Sequence, residues 1–321
     1  MSQSLPMLGR RMMMAGTFSA LASRTVQAQQ PTHPGFALGR PHTDFVQSQV
    51  APSRVLTETG SQPGVDGATV SYDAKGTRAV TVIMHYPVAW KMVPQHYVNS
   101  DQEFFVLDGS VIFNGVTYTT GDYAYFPAGY HHDLIESPSG AVVLNFYEGE
   151  HKAVYETAPP GMFRAEQLIK KISARDMPWA GATAIERKIW GSSARRKVLR
   201  TDSSTGESTW ILTVGPEHQK SRHALAIHQA VEEMFVLDGE VATPHGMMRS
   251  GSYAWRIPGT KLGPYGTKDG FTALLRSKGG ALKTALSKET QAVNWAAPYN
   301  PLVVEAQKSW VFTPFASDRA Y

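Results

Sequence analysis

The sequence predicts an all-β fold made of two tandem barrels, and three observations carry that reading. A phrase recurs: Gln102–Val111 reads QEFFVLDGSV and Glu232–Val241 reads EEMFVLDGEV, 130 residues later. The same offset of 130 relates Gly76 to Gly206, and Gly121, Tyr123, Ala124 and Gly129 to Gly251, Tyr253, Ala254 and Gly259. An offset held over several segments marks one domain copied in tandem. The second observation is residue type. The stretches RAVTVIMHYPVAW, EFFVLDGSVIFNGVTYTTGDYAYFP and GAVVLNFYEG are rich in β-branched and aromatic residues and are broken by Gly, Asn and Asp. Short strands with frequent turns read as a sandwich or barrel. The third is the scarcity of helix signals across 321 residues, a length suited to two ordinary domains.

The elements follow in chain order. Arg10 and Arg11 precede a 12-residue apolar run, Met12–Ser23, and Val26-Gln27-Ala28 fits a small-x-small cleavage site. This is the pattern of a cleaved export signal, and the paired arginines resemble a twin-arginine signal. The run is well short of the roughly 20 residues that span a bilayer. Residues 1–28 are therefore expected to be a signal, and the mature protein to be periplasmic or secreted. Residues 29–165 are expected to form the first barrel. Within it, FNGV at Phe113–Val116 signals a tight hairpin, because Asn and Gly tolerate positive φ. A short amphipathic helix is expected near Arg164–Ala174 as the link. Residues 166–321 are expected to form the second barrel and a tail.

Composition narrows the function. The formal net charge is +4, but the signal holds three arginines and no acids, so the mature chain is near +1. With no basic run this argues against a nucleic-acid partner. No second apolar stretch is long enough for a membrane helix, so no membrane partner is expected. The chain has no cysteine, which removes disulfides, thiolate ligands and a Cys nucleophile. There is no phosphate-binding glycine motif and no nucleophile elbow.

The histidines carry the chemistry. Gly121, Pro127, Gly129 and His132 stand in the spacing G-x5-P-x-G-x2-H, and His96, Val98, Gln102 and Gly109 in the spacing H-x-V-x3-Q-x6-G. These resemble the two signature motifs of the cupin superfamily, and two copies resemble a bicupin of the quercetin-dioxygenase-like kind. The resemblance covers roughly 76–149 and 206–279. It implies two double-stranded β-helix, or jelly-roll, barrels, with a divalent metal (Fe, Mn, Zn or Ni) held between the motifs. Carried over residue by residue, the metal ligands would be His96, Gln102 and His132. Val98 replaces the second histidine, and Gln102 stands where a glutamate is expected. Strand parity turns Glu103 to the opposite face unless a bulge intervenes. Glu103 and Glu136 are the candidate catalytic bases.

In the second copy Ala226 and Leu262 replace two histidines, while His228 and Glu232 remain as a vestigial second site or a buried hydrogen-bonded pair. The resemblance implies a metal-dependent oxidoreductase, an oxygenase or dioxygenase acting on a small organic molecule. The lost ligands fit the alternative, a non-catalytic small-molecule-binding or structural bicupin. The expected partner is a small molecule, with room for a homodimer.

Overall fold

A computed structural model describes residues 39–48, 53–55, 62–216 and 223–296. The signal expected over 1–28, with its arginine pair, lies outside them. The first half runs β1 (Thr43–Gln47), β2 (Ser53–Val55), β3 (Asp66–Tyr72), β4 (Val80–Met92), β5 (His96–Val98) and β6 (Gln102–Phe113). It continues with β7 (Val116–Thr119), β8 (Asp122–Phe126), β9 (His131–His132), β10 (Ile135–Tyr147), β11 (Ala153–Val154) and β12 (Ile169–Ser173). The second half runs β13 (Ala180–Gly181), α1 (Ala184–Trp190), β14 (Arg195–Thr201), β15 (Ser208–Val214), β16 (His223–His228) and β17 (Val231–Thr243). It closes with β18 (Gly246–Arg249), β19 (Ser252–Arg256), β20 (Lys261–Leu262), β21 (Phe271–Lys278) and β22 (Thr284–Gln291). The fold is all-β, as expected.

Each half has one large sheet and one small one. The large sheets run β12-β8-β6-β10-β4-β3-β2 and β1-β19-β17-β21-β15-β14-β13, and the small ones β11-β5-β9 and β20-β16-β22. The two orders correspond strand for strand except at the first position. There β12, from beyond residue 165, completes the first sheet, and β1, from the first half, completes the second. The sheets thus exchange edge strands across the expected boundary. Both halves, as far as they are described, lie within one compact unit.

The helix expected near Arg164–Ala174 is absent: a single 3-10 turn, Ala165–Gln167, leads into β12. Ile169 and Ile172, three apart, suggested helical periodicity. A register shift between them brings both onto one face of a strand, where they pack on the core between the halves. The open edge of β8 decides the matter, because it offers unpaired backbone groups that a strand satisfies.

Alternation along the strands builds three cores. On β6, Phe104 and Val106 point into the first barrel, while Phe105 and Leu107 point into a core shared with the second half. Met234 and Val236 fill the second barrel, and Phe235 joins the shared core. The repeated Phe-Val-Leu-Asp-Gly phrase has a backbone cause. Pairing with the neighbouring strand slips between Val106 and Asp108, and again between Val236 and Asp238, leaving one leucine bulged in each copy. The glycine that follows has φ of 70° at Gly109 and 78° at Gly239. A Cβ at either would sit 2.3 Å from a carbonyl oxygen of the next strand, Gly140 or Gly270. Only glycine fits there.

The strand registers also refine the repeat. The offset is 130 for β6 and β17, where Phe146 faces Glu103 and Arg276 faces Glu233. On the other side Phe146 faces Thr81 and Arg276 faces Thr209, an offset of 128. The match of Gly76 to Gly206 at 130 therefore falls outside the structural equivalence.

Candidate metal centre and its counterpart

β5 and β9 pair so that His96 stands directly opposite His132. Their rings stack at 5.1 Å. Pro94 and the Pro127-x-Gly129 turn, respectively, lead the chain into these two short strands. His96 Nδ1 lies 2.9 Å from the Pro94 carbonyl, so Nδ1 carries the proton and Nε2 keeps its lone pair. His132 packs among Phe113, Phe126 and Tyr130 at ring separations of 5.3–5.6 Å. Burial, with smaller contributions from His96 and His131, pushes the His132 pKa down to about 3. Burial likewise lowers His96. Both rings are neutral at pH 7, the form that donates to a metal.

Gln102 opens β6 on the inward face. Its Nε2 donates to Asn145 Oδ1 at 3.0 Å and to Tyr147 Oη at 3.1 Å. Those two bonds leave Oε1 as the free end of the amide. His96 Nε2, His132 Nδ1 and Gln102 Oε1 are all buried without a hydrogen-bond partner. They belong to the three side chains the motifs singled out. Buried polar atoms without partners are rare and demand an explanation. Two neutral imidazoles and a carbonyl oxygen suit a divalent ion that accepts N and O ligands, and they leave coordination positions open. Among the described residues no group of three His, Cys, Asp or Glu side chains converges. The set therefore depends on the glutamine.

Asn145 and Tyr147 carry no motif signal. The readable clue was parity, since they alternate with Val143 on the inward face of β10. His151, whose ring stacks on Tyr147 at 4.9 Å, also has a buried Nε2 without a partner.

The two candidate bases are placed elsewhere. Glu103 is buried on the opposite face of β6, as its parity dictates. It accepts from Tyr123 Oη at 2.7 Å and from Arg276 Nε at 2.8 Å, and it also bonds Thr209 of the second half. Burial works to raise its carboxyl, but Arg276 and Arg200 outweigh that and hold it below the usual range. Glu136 pairs with Lys91 at 3.1 Å on a partly exposed edge. The fold brings neither to the histidine pair. His131 is exposed, beside Asp133 at 3.7 Å.

In the second barrel the pair equivalent to His96 and His132 is Ala226 opposite Leu262. Glu232 and His228 survive, with Oε2 3.0 Å from Nε2. His228 Nδ1 lies 2.7 Å from Thr284 Oγ1. The other oxygen of Glu232 bonds the Arg256 guanidinium. Burial would raise the Glu232 carboxyl, yet His228 and Arg256 bring it down to about 2. Arg256 occupies the position of Phe126 in the first copy, so a fixed guanidinium supplies the positive charge here. Both oxygens of Glu232 and both ring nitrogens of His228 are engaged in hydrogen bonds or ion pairs within the protein. Arg256 falls at a position the second motif leaves unspecified, so no sequence signal marked it.

A family model described as a domain of unknown function, DUF4437, matches residues 60–284. Among solved structures, a protein from Nostoc punctiforme provisionally described as a dioxygenase is similar at TM-score 0.68 and 18% identity. The match covers 79% of this chain and 93% of that one. Two single-residue variants of oxalate decarboxylase from Bacillus subtilis follow at TM-scores of 0.48 and 0.49 and 12% identity, covering 77% of this chain and 80% of theirs. The fold is thus cupin-like. No curated protein matches the chain.

Proposed function

The chain belongs to the family described as a domain of unknown function, DUF4437, and on that footing we propose that it is a bicupin oxygenase or dioxygenase. Its reaction centre would lie in the first barrel, on a divalent ion held by His96, His132 and Gln102. The observation that carries the reading is the coincidence of three buried, partnerless donor atoms with three motif positions. The description of the Nostoc neighbour as a dioxygenase supports the oxygenase reading at that coarse level.

When bound, such an ion would offer open positions for a small organic substrate and for dioxygen. The other steps belong to this chain's residues. The Pro94 carbonyl fixes the His96 tautomer. Asn145 and Tyr147 hold the Gln102 amide with its oxygen free. Phe113, Phe126 and Tyr130 exclude water around His132. A periplasmic or secreted location completes the proposal, resting on the sequence of residues 1–28. Replacing Arg10 and Arg11 with lysine should leave precursor in the cytoplasm; unchanged export would refute the twin-arginine route.

One observation favours a second reading, a non-catalytic small-molecule-binding protein. With Glu103 and Glu136 placed elsewhere, the site holds no carboxylate base. Oxygen consumption separates the two. Metal-loaded protein should take up dioxygen with a flavonol or another small enediol-type substrate, and the His96→Ala variant should not. Metal binding without uptake across such a panel would favour the binding protein.

A further inference from the structure

A cavity opens in the second barrel at a place where the first carries a tyrosine. By strand register, Ser277 stands opposite Glu232 as Tyr147 stands opposite Gln102. Trp210 stands opposite Leu275 as Val82 stands opposite Asn145. Loss of the tyrosine ring coincides with a cavity of about 220 Å³ bordered by Ser277, Trp210, His228 and Glu232. Ile189 and Trp190 of α1 border it from above. The helix is held there by a capping box, in which Thr183 and Glu186 bond each other's backbone N–H.

The cavity has one unmet demand. Trp210 is 5% exposed and borders the cavity, and its indole Nε1–H has no partner. An indole nitrogen can only donate. The charges around it are answered within the protein: Glu232 by Arg256 and His228, and Glu186 by Arg196 at 3.5 Å. An anionic ligand would find no unpaired cation there. An uncharged acceptor would find a donor and apolar walls.

We propose that the second barrel is a metal-independent binding site for a small uncharged organic molecule with a carbonyl oxygen on an apolar body, the oxygen accepting from Trp210 Nε1. The site is separate from the histidine pair of the first barrel, so its existence does not hang on the metal reading.

The test is a titration of the full-length protein with acetophenone, in chelator, followed by the indole N–H resonances. The Trp210 resonance should move downfield and saturate. Trp210→Phe should weaken binding about fivefold, the size of one ordinary hydrogen bond. Ser277→Tyr, which restores the first barrel's side chain, should abolish it. Benzoate, of the same shape but charged, should bind at least about tenfold more weakly, because its desolvated charge meets no free cation. A Trp210 resonance unmoved up to the solubility limit in the wild-type protein would overturn the site. Equal or tighter binding of benzoate would overturn the uncharged ligand. Loss of binding in His96→Ala would overturn its independence from the first barrel.

Discussion

Glu232 and Gln102 hold the same place in two copies of one strand, and their surroundings have gone separate ways. The carboxylate is matched by Arg256 and His228; the amide is held by Asn145 and Tyr147 and keeps its oxygen unpaired. Spacing and parity were enough to place Gln102 inward and Glu103 outward. They were not enough to find Arg256 or the Asn145–Tyr147 clamp, because those contacts come from strands distant in sequence. The second copy shows that a histidine at the position of Val98 reaches the residue four further on: His228 meets Glu232 at 3.0 Å. Val98→His with Gln102→Glu should therefore tighten metal binding by about tenfold or more, since both replacements are stronger donors. Val98 lies in the first barrel's core, so overpacking should cost about 1–3 kcal/mol. Metal titration beside thermal melts reads both, and unchanged affinity in a folded variant would show the register argument to be wrong.

His132 sets a pH dependence in metal-free protein. Its folded pKa, about 3, lies below the ordinary 6.5. Between those values the unfolded chain takes up a proton that the folded one refuses. Stability is then intact above pH 6.5 and lost as pH falls, by about 1.4 kcal/mol per unit. Between pH 7 and 5 this amounts to about 2 kcal/mol. His132→Leu, the residue of the second copy, should reduce the acid slope in urea denaturation, leaving the share that His151, His96 and His85, each lowered by burial, contribute with the same sign. An unaltered slope would assign acid sensitivity to other groups.

At the scale of elements, the hairpins and the central strands were legible because turn residues and alternation are local signals. The asparagine–glycine hairpin is one case: Asn114 and Gly115 both have positive φ, 49° and 76°. The strand β12 was not legible, because two isoleucines three apart fit a helix as well as a bulged strand. What settles it is the bare edge of β8, which no local window contains. The exchange of β1 and β12 was hidden for the same reason. The glycines of the repeated phrase make an element-scale prediction. Gly109→Ala and Gly239→Ala should each destabilise by at least about 1–2 kcal/mol from positive φ alone, with the carbonyl clash added. Denaturant midpoints measure it. Wild-type stability in either variant would mean that the bulge relaxes freely.

At the scale of the molecule, buried cations join the halves: Arg40 reaches Glu233, Lys278 reaches Glu148, and Arg276 makes the most contacts. Arg276 bonds Glu103 of the first half at 2.8 Å, Glu233 of the second at 2.5 Å and Glu148 at 2.6 Å. Its guanidinium lies over Phe146, its own counterpart in the repeat, at 4.2 Å from the ring centroid. Tyr123 and Tyr253 bond the two glutamates in matching fashion, at 2.7 and 2.8 Å. A polar centre inside a shared apolar core fixes how the barrels meet, and removing one partner strands the others. Arg276→Met should cost about 3–5 kcal/mol, and both barrels should melt in a single transition before and after the change. Two separated transitions in calorimetry would show that the barrels fold independently. The duplicated core also explains why one copy could lose its imidazole pair without losing the fold: Ala226 and Leu262 keep the register of β16 and β20 and fill it with carbon. The central claim is that metal belongs to the first barrel alone. Elemental analysis of the purified wild-type protein and of His96→Ala, His132→Ala and His228→Ala variants tests it most directly. The account predicts a single divalent ion per chain in the wild type and in His228→Ala, and none in the other two; metal lost equally from His228→Ala, or no metal in a wild-type protein loaded with iron, manganese, zinc or nickel, would contradict it.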